Sequence, residues 1–247
     1  MRIIRPYAKI SDPFFDFFDS FTDPGIKLLQ KCESEGRVSH RSEDKQTYDS
    51  YDRFIRSIVL EHGDFSIIEH ASITVEAVVD RGITHEWVRH RLGAYTQEST
   101  RFVNYEKKIP PSFIYPIPTV ICGYCLSGNE VKYQGDGTTF WWCHKIEEKY
   151  YSCSHSEAWI RSISMAEECY KELLRKGWRP QESRSVFPNA LASKILVTYN
   201  LRMWRHFFLM RTSKETHPQF KQVSIPLLKE FQERIPIIYE DIIPESK

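Results

Sequence analysis

Apolar and polar positions alternate across residues 71–80: Ile73, Val75, Ala77 and Val79 fall on one face, Ser72, Thr74 and Glu76 on the other. A period of two marks a half-buried strand. A second extended segment, 191–199, leads into a helix over Asn200 to about Arg211. Residues 24–35 read as a short helix closed by Gly36, and residues 48–61 as another, with Tyr51, Phe54, Ile55, Ile58 and Val59 at helical spacing before Gly63. The clearest helix is 156–176, with Ile160, Ile163, Cys169, Tyr170 and Leu173 on its inner side and Gly177 at its end. Thr84 reads as the N-cap of a helix to about Arg91, followed by a loop and an extended segment around 101–105. In the last helix, 218–234, Pro226 is predicted to kink it or divide it. Long helices with few, separated strands predict an α+β fold.

Between residues 109 and 156 both periodicities fade, prolines and glycines accumulate, and cysteines gather, which predicts an insertion at about 117–153 within one domain spanning 1–247. Cys122 and Cys125 form a Cys-x-x-Cys knuckle, and Cys143 stands beside His144, with Cys153 and His155 beyond. The second knuckle is irregular, so Cys122, Cys125 and Cys143 are candidate ligands of a structural zinc, set against free thiols in a loop.

Composition narrows the class. With 247 residues, 41% of them hydrophobic, the chain can bury one substantial core. Its 34 basic and 33 acidic residues balance, which argues against a zinc-containing nucleic-acid-binding module and makes any anion site local. No apolar run approaches the roughly 18 residues of a membrane span, and the first residues lack the apolar stretch of a signal peptide, so a soluble, cytoplasmic protein with no membrane partner is expected. No glycine-rich dinucleotide fingerprint follows a strand, so a Rossmann fold is not supported.

The densest polar feature is Arg89-His90-Arg91, seven residues, then Ser99, with Gln97, Glu98 and Arg101 around it. Guanidinium groups grip phosphate bidentately, while Gln, Glu and Ser suit the edge of a base or sugar. A solvated basic helix end is the plainer alternative, which the polar residues continuing through the loop weaken. On the helix from Asn200, Arg202 and His206 share a face four residues apart, and Met203, Phe207 and Met210 form another suited to packing.

Arg-His-Arg, seven residues and Ser resembles the signature of the flavin-dependent thymidylate synthases. Glu61-His-Gly63 and Glu69-His70-Ala-Ser72 upstream resemble that family, as do Arg184-Ser-Val-Phe-Pro188 and Asn200-Leu-Arg202-Met-Trp-Arg-His206 through Arg211 downstream. The resemblance runs from about His62 onward, outside the cysteine-bearing segment. It implies a ThyX-like domain with a mixed or antiparallel central sheet flanked by long helices. It assigns His70, Ser72, Arg89, His90, Arg91, Gln97, Asn200, Arg202 and His206 to FAD. It assigns Glu86, Arg89, Gln97, Glu98, Ser99, Arg101, Arg184 and Arg211 to dUMP. Glu86 stands where many members have Gln, Thr96-Gln97-Glu98 departs from the common Asn-Glu-Gln, and His206 stands where some members have Asn.

The activity so implied is reductive methylation of dUMP to dTMP, with methylene-tetrahydrofolate as one-carbon donor and FAD re-reduced by NADPH, in a homotetramer with shared sites. A cation against the pyrimidine would make its carbon 5 nucleophilic by stabilising negative charge on the ring, and Arg211 is the candidate. Ser99 invites a nucleophile reading, but a serine needs an adjacent base and Glu98 points elsewhere, so Ser99 is read as a nucleotide ligand. A related flavin-dependent nucleotide-modifying enzyme with another one-carbon donor is the rival reading.

Overall fold

The computed structural model describes residues 2–16, 23–107, 110–116, 144–146, 149–151 and 154–245. Along the chain run β1 (Arg2–Ile4), β2 (Tyr7–Ile10), α1 (Pro13–Asp16), α2 (Pro24–Arg37), α3 (Ser50–Ile55), β3 (Ser72–Asp80), α4 (Arg81–Trp87) and β4 (Ala94–Gln97). After them come β5 (Ser112–Ile114), β6 (His144–Ile146), β7 (Lys149–Tyr151), α5 (Ser154–Arg175), α6 (Pro180–Ser183), β8 (Ala192–Asn200), α7 (Leu201–Arg211) and α8 (Pro218–Arg234). The chain forms two compact units, the larger comprising Pro6–Val78, Ile83–Gln97 and Lys194–Lys247, the smaller Met1–Arg5, Val79–Gly82 and Glu98–Ser193.

In the larger unit a sheet runs in the order β2-β3-β8-β4. Antiparallel pairing sets Ala8 against Ala77 at one edge and Thr96 against Leu196 at the other. The alternation in β3 is realised: Ile73, Val75 and Ala77 are buried while Ser72 is exposed. Over this sheet α7 packs on α8, and α8 lies against β2. Trp204, Phe207, Phe208, Phe231 and Tyr239 are fully buried between them, each contributing about 1.5–3 kcal/mol by removing its ring from water. The Trp204 indole also donates to Ile73 O at 3.0 Å, so the helix is tied to the sheet by a directed bond.

The smaller unit has its own core. There β1 pairs in parallel with β5, and Tyr105, Phe113, Ile163, Tyr170 and Leu191 pack together. Among the described side chains of α5, Ile163, Glu167 and Tyr170 are buried, as its helical period requires, and Gly177 ends the turn after it at φ +90°. β6 and β7 pair antiparallel.

Several local expectations are corrected. Gly36 does not close α2, which continues to Arg37; a Cβ there would lie 2.9 Å from Ile67 and Phe54 side-chain atoms, so the glycine serves close packing. Thr84 lies inside α4, buried, and its hydroxyl accepts from Gln97 Nε2 at 3.0 Å instead of capping the helix. The extended segment is Ala94–Gln97, not the region around 101–105, because β4 gains its hydrogen bonds from β8. Pro226 does not divide α8, which runs unbroken from Pro218 to Arg234, with Val223, Ser224, Leu227, Leu228 and Phe231 buried around it. On α7 the buried stripe is Trp204, Phe207 and Phe208, and Met210 is 48% exposed. Most of the segment expected as an insertion, Cys122, Cys125 and Cys143 included, lies outside the described residues.

Candidate active site

Helix α4 ends at Trp87, and the chain then folds tightly, with Arg89 N donating to Glu86 O at 3.3 Å and His90 N to Trp87 O at 3.0 Å. This turn sends the side chains of Arg89 and Arg91 outward and draws His90 in, so both arginines are exposed while His90 is 5% exposed. Both guanidinium groups are thus presented at the surface, where they can meet an anion. The turn is held from the sheet. Tyr95, on β4, donates its phenol to the carbonyl oxygen of His90 and lies 2.6 Å from the Tyr199 hydroxyl on β8. Burial pushes both phenols above their ordinary pKa, so they remain protonated donors. Gly93 permits this approach, since a Cβ there would sit 2.2 Å from the Tyr199 ring.

Arg211, in the last turn of α7, meets that turn. Its Nε donates to His90 Nε2 at 2.8 Å, Nη1 to Glu86 Oε2 at 2.7 Å and Nη2 to Glu86 O at 3.4 Å. Its guanidinium carbon lies 4.7 Å from the centre of the Phe220 ring. Four contacts, from α4, the turn after it and α8, therefore fix one cation whose side chain is 17% exposed, at the wall of a cleft of about 600 Å³ also lined by Met210, Lys214, Thr216 and His217. A guanidinium held this way meets a ligand without first being ordered. Burial, then the neighbouring Arg211 and His206 side chains, lower the His90 pKa to about 4. The ring is thus neutral near pH 7, and because Nε2 accepts, its proton resides on Nδ1.

The remaining expected residues occupy defined places. His70 and Ser72 are exposed at the start of β3, where Lys31 Nζ donates to His70 O at 3.0 Å. Ser72 lines a cavity of about 300 Å³ with Lys27, Lys31, Leu28 and Phe15. Asn200 caps α7, its side-chain oxygen accepting from Met203 N at 2.8 Å, which leaves its amide as a donor. Arg202 and His206 share the exposed face of α7; Arg202 pairs with Glu69, and the His206 ring meets His90 edge-on at 6.3 Å. Gln97 is held by Thr84.

Glu98, Ser99, Arg101 and Arg184 belong to the smaller unit. There Arg184 Nη1 donates to Thr100 Oγ1 at 2.6 Å beside a polar cavity of about 450 Å³ lined also by Arg81, Gln181, Ser185 and Asn189. Ser99 Oγ accepts from Arg101 N at 3.3 Å, and no general base reaches it among the described residues. Arg101 stacks over Phe102 at 5.5 Å. Among the described residues no group of three or more His, Cys, Asp or Glu side chains could hold a metal ion.

The larger unit therefore brings Glu86, His90, His206 and Arg211 together. Sequence reasoning missed Tyr95 and Tyr199. The signal that pointed to them was Gly93 inside an arginine-rich block, where a glycine marks close approach of another group.

Comparison with known proteins places the chain in a family and a fold. The family described as thymidylate synthase complementing protein matches residues 27–237. A flavin-dependent thymidylate synthase of Mycobacteroides abscessus is 30% identical over 250 residues, covering 98% of this chain and 88% of that protein. Another, of Pyrococcus abyssi, is 30% identical over 178 residues, covering 71% of this chain. The chain spans 61% of the length of that relative and 64% of that of the Pyrococcus furiosus protein, which is 29% identical over 191 residues. The fold is shared with the UMP/dUMP methylase PolB from Streptomyces cacaoi bound with 5-Br UMP, at a TM-score of 0.66 and 17% identity, covering 97% of this chain and 95% of that one.

Proposed function

Since this chain belongs to the thymidylate synthase complementing protein family, we propose that it is a flavin-dependent thymidylate synthase that converts dUMP to dTMP. The observation that carries this reading is the clasped Arg211 guanidinium, bonded to His90 and Glu86 at the wall of the cleft. Negative charge that develops on a uracil ring as its carbon 5 becomes nucleophilic is stabilised by a cation that is already oriented. Arg211 supplies that cation. Glu86 balances the charge when the cleft holds no ligand, so the site does not carry an uncompensated buried cation.

The chemistry of the donor set fits FAD. His70, Ser72, Arg89, Arg91, Arg202 and His206 are all exposed, and they combine hydroxyl, imidazole and guanidinium groups suited to a diphosphate and a heteroaromatic ring. When bound, the reduced flavin supplies the hydride, and methylene-tetrahydrofolate supplies the carbon. Arg184, braced by Thr100, and Arg101 are assigned to the phosphate of dUMP, with Ser99, Gln97 and Glu98 as nucleotide ligands. Ser99 is not a nucleophile in this scheme, because no base among the described residues activates it. NADPH is the proposed reductant, a homotetramer with shared sites the proposed assembly, the cytoplasm the proposed location, and Cys122, Cys125 and Cys143 the candidate ligands for a structural zinc. No helix among the described residues is long and apolar enough to cross a membrane.

The test is direct. Purified protein is expected to show flavin absorption that NADPH bleaches anaerobically, and to form dTMP from dUMP when methylene-tetrahydrofolate is added. Protein that binds no flavin, or that forms dTMP with a different one-carbon donor alone, overturns this reading.

A further inference from the structure

Resting on that reading, we infer that His90 is a positioning residue for Arg211, setting the direction of its guanidinium through the Nε2 acceptor. Three observations carry this. First, His90 Nε2 takes the Arg211 Nε proton at 2.8 Å. That bond anchors the Nε edge of the guanidinium, which the bonds from Nη1 and Nη2 to Glu86 do not hold directly. Second, His90 is itself immobilised: it is 5% exposed, its ring meets Phe207 edge-on at 5.1 Å, and its carbonyl accepts from the Tyr95 phenol, which is paired with Tyr199. Third, the groups facing the ring agree with an acceptor role. Arg211 and His206 approach from α7, and Glu86 from α4 bonds Arg211 and not the imidazole.

The middle residue of the Arg-His-Arg block thus does different work from its neighbours. Arg89 and Arg91 are exposed, whereas His90 is buried and holds the proposed catalytic cation. Its service to the flavin is then indirect, and the primary effect of removing it falls on the pyrimidine.

Wild type, His90→Leu and His90→Gln would be compared as flavin-loaded protein for flavin content per chain, dUMP affinity, kcat and KM. Leu removes the acceptor, and the Gln side-chain carbonyl replaces it at similar reach. His90→Leu is expected to keep its flavin while kcat/KM for dUMP falls roughly ten- to a hundred-fold, the range for losing a hydrogen bond to a charged group. His90→Gln is expected to recover most of that loss, which a purely structural role would not produce. If His90→Leu does not fold, His90→Gln against the shorter His90→Asn decides the question, with activity expected for Gln and impairment for Asn. Loss of flavin from His90→Leu with turnover restored at saturating FAD overturns the assignment, as does Gln no better than Leu, or no better than Asn. A wild-type protein that binds neither flavin nor dUMP overturns the proposed function and this inference together, a result visible before any substitution is made.

Discussion

Acid should destabilise this protein through His90. The buried ring sits beside the Arg211 guanidinium and the His206 ring, and its pKa is lowered from 6.5 to about 4, with burial the largest cause. The unfolded chain therefore binds a proton that the folded chain refuses. Stability is full above pH 6.5 and is lost as pH falls toward 4, the sign expected when the folded pKa is depressed for a cationic acid. At 1.36 kcal/mol per pH unit the whole interval is worth roughly 3 kcal/mol, of which about 2 kcal/mol is gone at pH 5. Against the 5–15 kcal/mol typical of a folded domain, that loss is large. Urea titrations followed by tryptophan fluorescence at pH 7.5 and pH 5.0, on wild type and His90→Gln, isolate the contribution, because every other titrating group is common to both. Wild type should lose about 2 kcal/mol more than the variant between the two pH values. Parallel losses in the two proteins would refute the reasoning.

Three further outcomes follow from the same contacts. Gly93→Ala places a Cβ 2.2 Å from the ring of Tyr199, which is 1% exposed and cannot swing away, so a calorimetric scan should show a loss of about 1–3 kcal/mol, and an unchanged melt would contradict the close approach. Asn200→Ala removes the cap of α7 and should lower the urea midpoint by the equivalent of about 1 kcal/mol with an unchanged slope. Ser99→Ala should retain measurable turnover with a raised KM for dUMP, since no base among the described residues reaches its hydroxyl; a dead enzyme that still binds both ligands would restore the nucleophile reading.

What could be read in the sequence was whatever is encoded locally. The two-residue period of β3 and the helical period of α5 state their own burial, because the buried face is written into the spacing of Ile73, Val75 and Ala77 and of Ile163 and Tyr170. Asn200 and Gly177 were legible as helix ends for the same reason. The residues that misled were those whose partners are distant. Gly36 is a glycine because Phe54 and Ile67 press on it, and Thr84 is polar because Gln97 needs an acceptor. In the site, clustering identified the Arg-His-Arg block, but nothing local distinguishes the inward His90 from the outward Arg89 and Arg91. That distinction depends on Tyr95, Tyr199 and Arg211, the last lying 121 residues away in sequence. Clusters of charge announce that a site exists; tertiary contacts decide which member does the chemistry.

The central claim is that Arg211 activates carbon 5 of a bound pyrimidine nucleotide, and dUMP tritiated at that carbon tests it. Methylation must replace the label, so with methylene-tetrahydrofolate, NADPH and FAD the wild-type protein should release tritium into water in step with dTMP formation. Arg211→Ala should keep its flavin absorption and release none above background. Release by Arg211→Ala at the wild-type rate, or none from wild type under any of these conditions, would contradict the claim.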